Sequence, residues 1–161
     1  MKPFLFIILI FSSSSLFSVE KIAVLPFNNA DGLYENQIWV YDIQDSLSKA
    51  LSAADPNQEH YEVISPDEIE DVLAELNLDP TNPQYKSDMW KAAKMLKVKT
   101  IITGRFNFEA GNIIINAFIY NVRMKLPHPK FQAKNIFKPE DQVLSAIPII
   151  TEKLLPGLKK N

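Results

Sequence analysis

Apolar residues arrive in runs whose spacing changes along the chain, and each spacing names an element. Ile22-Ala23-Val24-Leu25 is a short unbroken apolar run, as a strand buried on both faces requires, and Pro26 with residues 28–32 closes it in a turn. Across residues 36–54, Trp39, Ile43, Leu47, Ala50, Leu51 and Ala54 recur at spacings of three and four, one stripe of an amphipathic helix. Asp55, Pro56 and Asn57 stop that helix. Residues 61–64 then predict a second strand, so strand, helix and strand form a parallel βαβ unit with a right-handed crossover.

The next helix announces its start. Ser65 is placed as N-cap, Pro66 at the first helical position and Glu68 at the third, a capping box, and Asp67 adds charge near the positive end of the helix. Ile69, Val72, Leu73 and Leu76 supply its buried face, and residues 77–80 end it. A short helix is expected to begin at Ser87 or Asp88, with Trp90 and Ala93 facing inward. Residues 100–109 alternate, with Ile102, Gly104, Phe106 and Phe108 on one face and Thr103, Arg105, Asn107 and Glu109 on the other. A turn at residues 109–112 leads into a long strand over 112–123, an antiparallel hairpin that makes the sheet mixed. Leu126 to Pro129 is expected to break the strand, and residues 131–136 to return as an edge strand. Pro139 is expected to open a last helix, carrying Val143, Ile147, Ile150, Leu154 and Leu158, with a kink at Pro148. The class is α/β, with helices covering a mixed sheet.

The start of the chain changes the setting. One charge at Lys2, an apolar run from Phe4 to Phe11, serines 12–15 and the small residue Ser18 predict a cleaved signal peptide over residues 1–18. The run is too short for the roughly 20 apolar residues of a membrane span. Residues 19–161 are then a single exported domain, periplasmic or secreted, with peripheral association to an outer membrane as a further option. The chain has no cysteine, so no lipid anchor, disulfide or thiolate chemistry is expected. Setting aside Lys2 leaves 16 of the 17 basic residues against 19 acidic ones, a net charge of −3, which argues against general nucleic-acid binding.

Candidate chemistry is sparse. His60 and His128 each lie beside a turn with no second ligand at useful spacing, and read as surface or hydrogen-bonded histidines. Asp31 and Glu35 flank a turn but lack the oxygen ladder of a calcium loop. Asp67, Glu68, Glu70 and Asp71 sit where a helix start favours negative charge. Four glycines form no phosphate-cradling motif, and Gly104 is expected to allow close packing against a helix. No serine sits in a nucleophile elbow. No catalytic residue, metal ligand or cofactor is assigned.

Charge is distributed more tellingly than any of these residues. Between Lys49 and Lys86 the chain has acidic residues at 55, 59, 62, 67, 68, 70, 71, 75 and 79 and no Lys or Arg. Between Glu109 and Glu140 the only charges are Arg123, Lys125, Lys130, Lys134 and Lys138. Two readings of the cations stay open. They are a docking surface, centred on Arg123, Lys125, Lys130 and Lys134, for an acidic protein, an anionic envelope polymer or the acidic end of another copy. Alternatively they guard an exposed sheet edge against aggregation. An open edge over residues 131–136 would also accept an added strand.

Three segments resemble a group of bacterial envelope proteins that comprises the TolB amino-terminal domain, the curli secretion protein CsgG, the penicillin-binding-protein activator LpoB and the flagellar protein FlgO. Lys21 to Phe27 is similar to the group's opening strand ending in Leu-Pro-Phe. Val63 to Pro66, leading into Ile69, Val72 and Leu73, is similar to its second strand and helix. Ala93, Leu96, Val98, Ile101, Ile102 and Gly104 are similar to its helix feeding a strand that ends in glycine. The resemblance implies a TolB-like α/β domain and a non-enzymatic role as adaptor, activator or assembly subunit, with an envelope protein as partner or with copies of itself in an oligomer. Two rival functions remain, a ring or secretion-assembly subunit and an enzyme with a site assembled from scattered polar residues.

Overall fold

Ile22 and Val24 point into one core and Ala23 and Leu25 into another, because successive side chains of a strand leave on opposite faces. This is why the opening run is apolar without a break. The computed structural model describes residues 19–159, and the expected signal peptide lies outside the described residues. In chain order the elements are β1 (Glu20–Val24), β2 (Asn28–Asn29), α1 (Ile38–Ala54), β3 (Tyr61–Val63), α2 (Pro66–Glu75), α3 (Tyr85–Met95), β4 (Thr100–Glu109), β5 (Asn112–Asn121), β6 (Leu126–Pro139) and α4 (Ile147–Leu158). Short 3-10 segments at Tyr34–Asn36 and Glu140–Ala146 precede α1 and α4.

The strands form one mixed sheet in the order β3-β1-β4-β5-β6. β1 runs parallel to both β3 and β4, so β1, α1 and β3 are the expected parallel βαβ unit. β4 and β5 pair antiparallel from Thr100 opposite Asn121 to Glu109 opposite Asn112, and β6 continues antiparallel at the edge. One core packs α1 and α4 against the sheet through Leu47, Leu51, Phe106, Ile115, Ile150 and Leu154. The other packs α2 and α3 against it through Ile69, Leu73, Met89, Ala93 and Ile101. Each fully buried Leu, Ile or Phe contributes roughly 1.5–3 kcal/mol by leaving water.

Buried polar side chains close the gaps where the backbone ladder stops. Pro26 ends β1, so Gln44 of α1 donates its amide to the Val24 carbonyl at 2.9 Å, and the Thr103 hydroxyl donates to the Pro26 carbonyl at 2.9 Å. Ser65 caps α2 as expected, its hydroxyl accepting the Glu68 N–H at 3.2 Å.

Six local expectations are corrected. Asn28 and Asn29, read as turn, form β2 and pair with Arg105 and Phe106 beyond the Pro26 interruption. α3 begins at Tyr85 rather than at Ser87 or Asp88, after a turn in which the Tyr85 N–H bonds the Asn82 carbonyl. Leu126 to Pro129 does not break the strand but opens β6, because an edge strand can leave one row of backbone groups unpaired and so admits proline. Pro139 ends β6 instead of opening a helix, and Pro148 stands in the first turn of α4, where no N–H is required and no kink results. Gly104 packs against strand rather than helix. A Cβ there would lie 1.9 Å from the Asn116 carbonyl oxygen and 2.8 Å from the Phe27 ring. The glycine that admits a helix is Gly157 of α4, where a Cβ would meet Ile119 at 2.8 Å and Phe131 at 2.9 Å.

Candidate functional site

The α2/α3 layer covers only part of its face of the sheet. Its core reaches Tyr120 and Val122 on the β5 side and takes in no residue of β6. Beyond it lies a band of side chains fixed by strand alternation. Ile114, Asn116, Phe118 and Tyr120 share one face of β5, and cross-strand pairing places Arg105 beside Asn116 and Phe137 beside Ile114 on that face.

Aromatic rings on this band touch in sequence. Trp90 of α3 meets Tyr120 edge-on at 5.7 Å between centroids, and Tyr120 meets Phe118 at 5.9 Å. A lysine lies over each end of the row: the Lys125 ammonium is 5.8 Å from the Trp90 centroid and that of Lys134 is 5.9 Å from the Phe118 centroid. Each such contact contributes about 0.5–1 kcal/mol at an exposed site and, more usefully here, holds a long cation in place. Arg105 extends the positive field along the row. Burial raises the Tyr120 hydroxyl above its ordinary range, and Arg105 partly opposes that rise. A cavity of about 380 Å³ opens beside the row, lined by Tyr85, Lys86, Thr103, Arg105, Phe118 and Tyr120.

The four cations singled out in the sequence are therefore not one cluster. Lys125 and Lys134 bracket the aromatic row. Arg123 stands exposed in the turn joining β5 to β6, and Lys130 lies 5.5 Å from the ring of Phe131, which packs against the opposite core. Trp90, Phe118, Tyr120 and Arg105 were not singled out. The signal in the sequence was the alternation Asn116, Phe118, Tyr120, but the contact with Trp90 depends on packing between residues distant in the chain.

Both histidines line a second cavity, of about 450 Å³, at the end of the sheet where β1 and β3 begin. His128 is occupied structurally: its Nδ1 accepts the N–H groups of Lys130 at 3.2 Å and Phe131 at 3.0 Å, holding the irregular stretch of β6. His60 Nδ1 lies 3.6 Å from Asp55. Among the described residues no three His, Asp or Glu side chains are grouped so as to hold a metal ion. Among them, too, no helix is long and apolar enough to cross a membrane.

A mixed sheet with a βαβ opening, a long antiparallel hairpin and a final helix across the hairpin is an α/β fold similar to that of the LpoB C-terminal domain. The LpoB C-terminal domain from Salmonella enterica is similar over 75% of this chain and 84% of that chain, with 11% identity and a TM-score of 0.50. The E. coli LpoB structure is similar over 74% of this chain and 56% of its own, again with 11% identity and a TM-score of 0.50. TolB from Acinetobacter baumannii is 16% identical over 87% of this chain and 28% of its own, with a TM-score of 0.48. No family model matches the sequence, and no curated protein does. The resemblance of the three segments to the TolB and LpoB group thus holds at the level of fold.

Proposed function

We propose that this chain is an exported, non-enzymatic binding component of the bacterial envelope that recognises an acidic partner on the open sheet face. The observation that carries this reading is the aromatic row Trp90, Tyr120 and Phe118 with a lysine held over each end. Apolar rings supply contact area, and cations fixed at set positions supply orientation and rejection of basic competitors. Likeness to the LpoB domain supports the envelope setting, as does the expected signal peptide. The bound species is an acidic protein surface, with an anionic polymer of the envelope as the alternative. Partner choice rather than bond chemistry is the task of these residues.

Crosslinking in intact cells, followed by identification of captured species, tests the reading. Wild type is expected to capture a reproducible envelope partner, and the Lys125→Glu/Lys134→Glu variant to lose it. Equal capture by the two proteins overturns the reading. Capture of a protease-resistant polymer in place of a protein selects the alternative.

A further inference from the structure

A second exposed surface lies at the start of α1. Tyr34, Ile38 and Tyr41 follow one another at helical spacings of four and three on the side away from the buried stripe of Ile43 and Leu47. Tyr34 is 84% exposed, Ile38 61% and Leu33 beside them 49%. Contiguous exposed side chains of this size mark an interaction site more often than isolated ones do. The surroundings are acidic. Glu35 and Asp42 stand among these residues, and burial first, then the charges of Asp79 and Glu70, raise the Tyr41 hydroxyl above its ordinary range. From residue 22 to residue 85 the only Lys or Arg is Lys49, and Asp45 holds it at 2.6 Å.

The open sheet face has the opposite character. Its cations are Lys125, Lys134 and Arg105, and its apolar residues include Phe137, which is 59% exposed. Each surface thus pairs apolar area with charge of one sign, and the signs are complementary.

We infer that the exposed apolar stripe Leu33, Tyr34, Ile38 and Tyr41 of one copy, with Glu35 and Asp42 beside it, docks on the lysine-capped aromatic row of the next, a head-to-tail contact between copies of this chain. The inference rests on the reading of the row as a site for an acidic partner, and it names that partner. A contact between unlike surfaces leaves a free surface at each end, so assembly continues until a ring closes or proceeds as a filament.

Sedimentation velocity and light scattering on protein expressed from the full chain test it. Wild type is expected to gain mass with concentration and to lose it as salt rises. Glu35→Lys/Asp42→Lys and Lys125→Glu/Lys134→Glu are each expected to weaken self-association about tenfold or more. Ile38→Ser, which leaves the charges intact, is expected to weaken it as well. The decisive sample is a mixture of the two charge variants. Each retains the surface that the other has lost, and the two reversed surfaces are again opposite in charge, so the mixture forms pairs and larger assemblies that neither variant forms alone, an outcome that misfolded variants would not produce. Wild type that keeps the monomer mass at every concentration overturns the inference, as does a mixture without pairs. If wild type is monomeric while Lys125→Glu/Lys134→Glu still abolishes capture of an envelope protein, the acidic-partner reading stands and the second copy is not that partner. Self-association with unchanged capture separates them the other way.

Discussion

The side-chain oxygen of Asn116 on β5 accepts the backbone N–H of Asn135 on β6 at 3.0 Å. Ile115 pairs with Ile136 and Ala117 with Ala133, so Lys134 and Asn135 together face the single residue Asn116, a bulge. Asn135 takes the left-handed conformation, φ 53°, which asparagine tolerates better than most residues. The bulge resets the alternation of β6. Ala133 and Ile136 both enter the α1/α4 core although they are three apart, while Lys134 is left on the other face, over Phe118. Asn116→Ala is expected to cost about 1–2 kcal/mol, since the Asn135 donor loses its acceptor. Chemical denaturation measures the loss. A shift of the Phe118 and Lys134 resonances by NMR reports release of the cation, and unchanged resonances would show that Asn116 does not position it.

Gly104 allows β4 to close on β5. Because a Cβ there would overlap the backbone oxygen of Asn116 rather than a movable side chain, relaxation has to move β5 itself. Gly104→Ala is expected to destabilise by on the order of 3 kcal/mol or more, at the upper end of overpacking effects. Gly111→Ala, at a site with open space but φ 74°, is expected to cost less, about 1 kcal/mol. Equal melting temperatures for the two variants would refute the ordering.

Two buried tyrosines give opposite expectations for the same substitution. The Tyr61 hydroxyl donates to the Leu51 carbonyl at 2.8 Å, tying β3 to the end of α1, and its pKa is pushed up to about 12 by burial and then by Asp55. The Tyr85 hydroxyl is buried and has no hydrogen-bond partner among the described residues, and burial followed by Tyr41 raises it far above its ordinary range. Tyr61→Phe is therefore expected to destabilise by about 1 kcal/mol, and Tyr85→Phe to be neutral or stabilising by up to about 1 kcal/mol. Thermal unfolding of the two variants side by side checks the sign of each.

The parts of this fold that were legible in the sequence are those decided by neighbours in the chain. Ser65 caps a helix by accepting the Glu68 N–H, as their spacing specifies, and the turn at Ala110 and Gly111 closes a hairpin whose strands alternate up to it. β1 was legible because an interior strand with a core on each face has to be apolar throughout. Asn28 and Asn29 read as turn because two residues are too few to show a period, and only pairing with Arg105 and Phe106 makes them a strand. Proline at 127 and 129 signals a break unless the strand is known to be an edge. The candidate site was half legible for the same reason. Charge along the chain pointed to Lys125 and Lys134, but which rings hold them follows from the packing of α3 on β5 and from the bulge in β6.

Asp55 joins the end of α1 to the start of β3, and its charge makes that joint sensitive to acid. Its carboxylate accepts the backbone N–H groups of Glu59 at 3.2 Å, His60 at 2.8 Å and Tyr61 at 3.1 Å. Burial alone would raise its pKa, but these donors and the His60 side chain outweigh it and hold the group below its ordinary value of 3.8. A carboxyl depressed on folding stabilises the fold while it is ionised. That stabilisation is complete above the unfolded value and is lost as pH falls through the folded one. Asparagine mimics the protonated carboxyl, so the difference in denaturation midpoint between wild type and Asp55→Asn is expected to be constant from about pH 7 to about pH 5. It should shrink below pH 3.8 and vanish once the native carboxyl is protonated. Repeating the series in a His60→Ala background removes the imidazole that lies 3.6 Å away and isolates the backbone donors. A difference that persists undiminished well below that range would show that the ionised carboxylate is not what holds the joint.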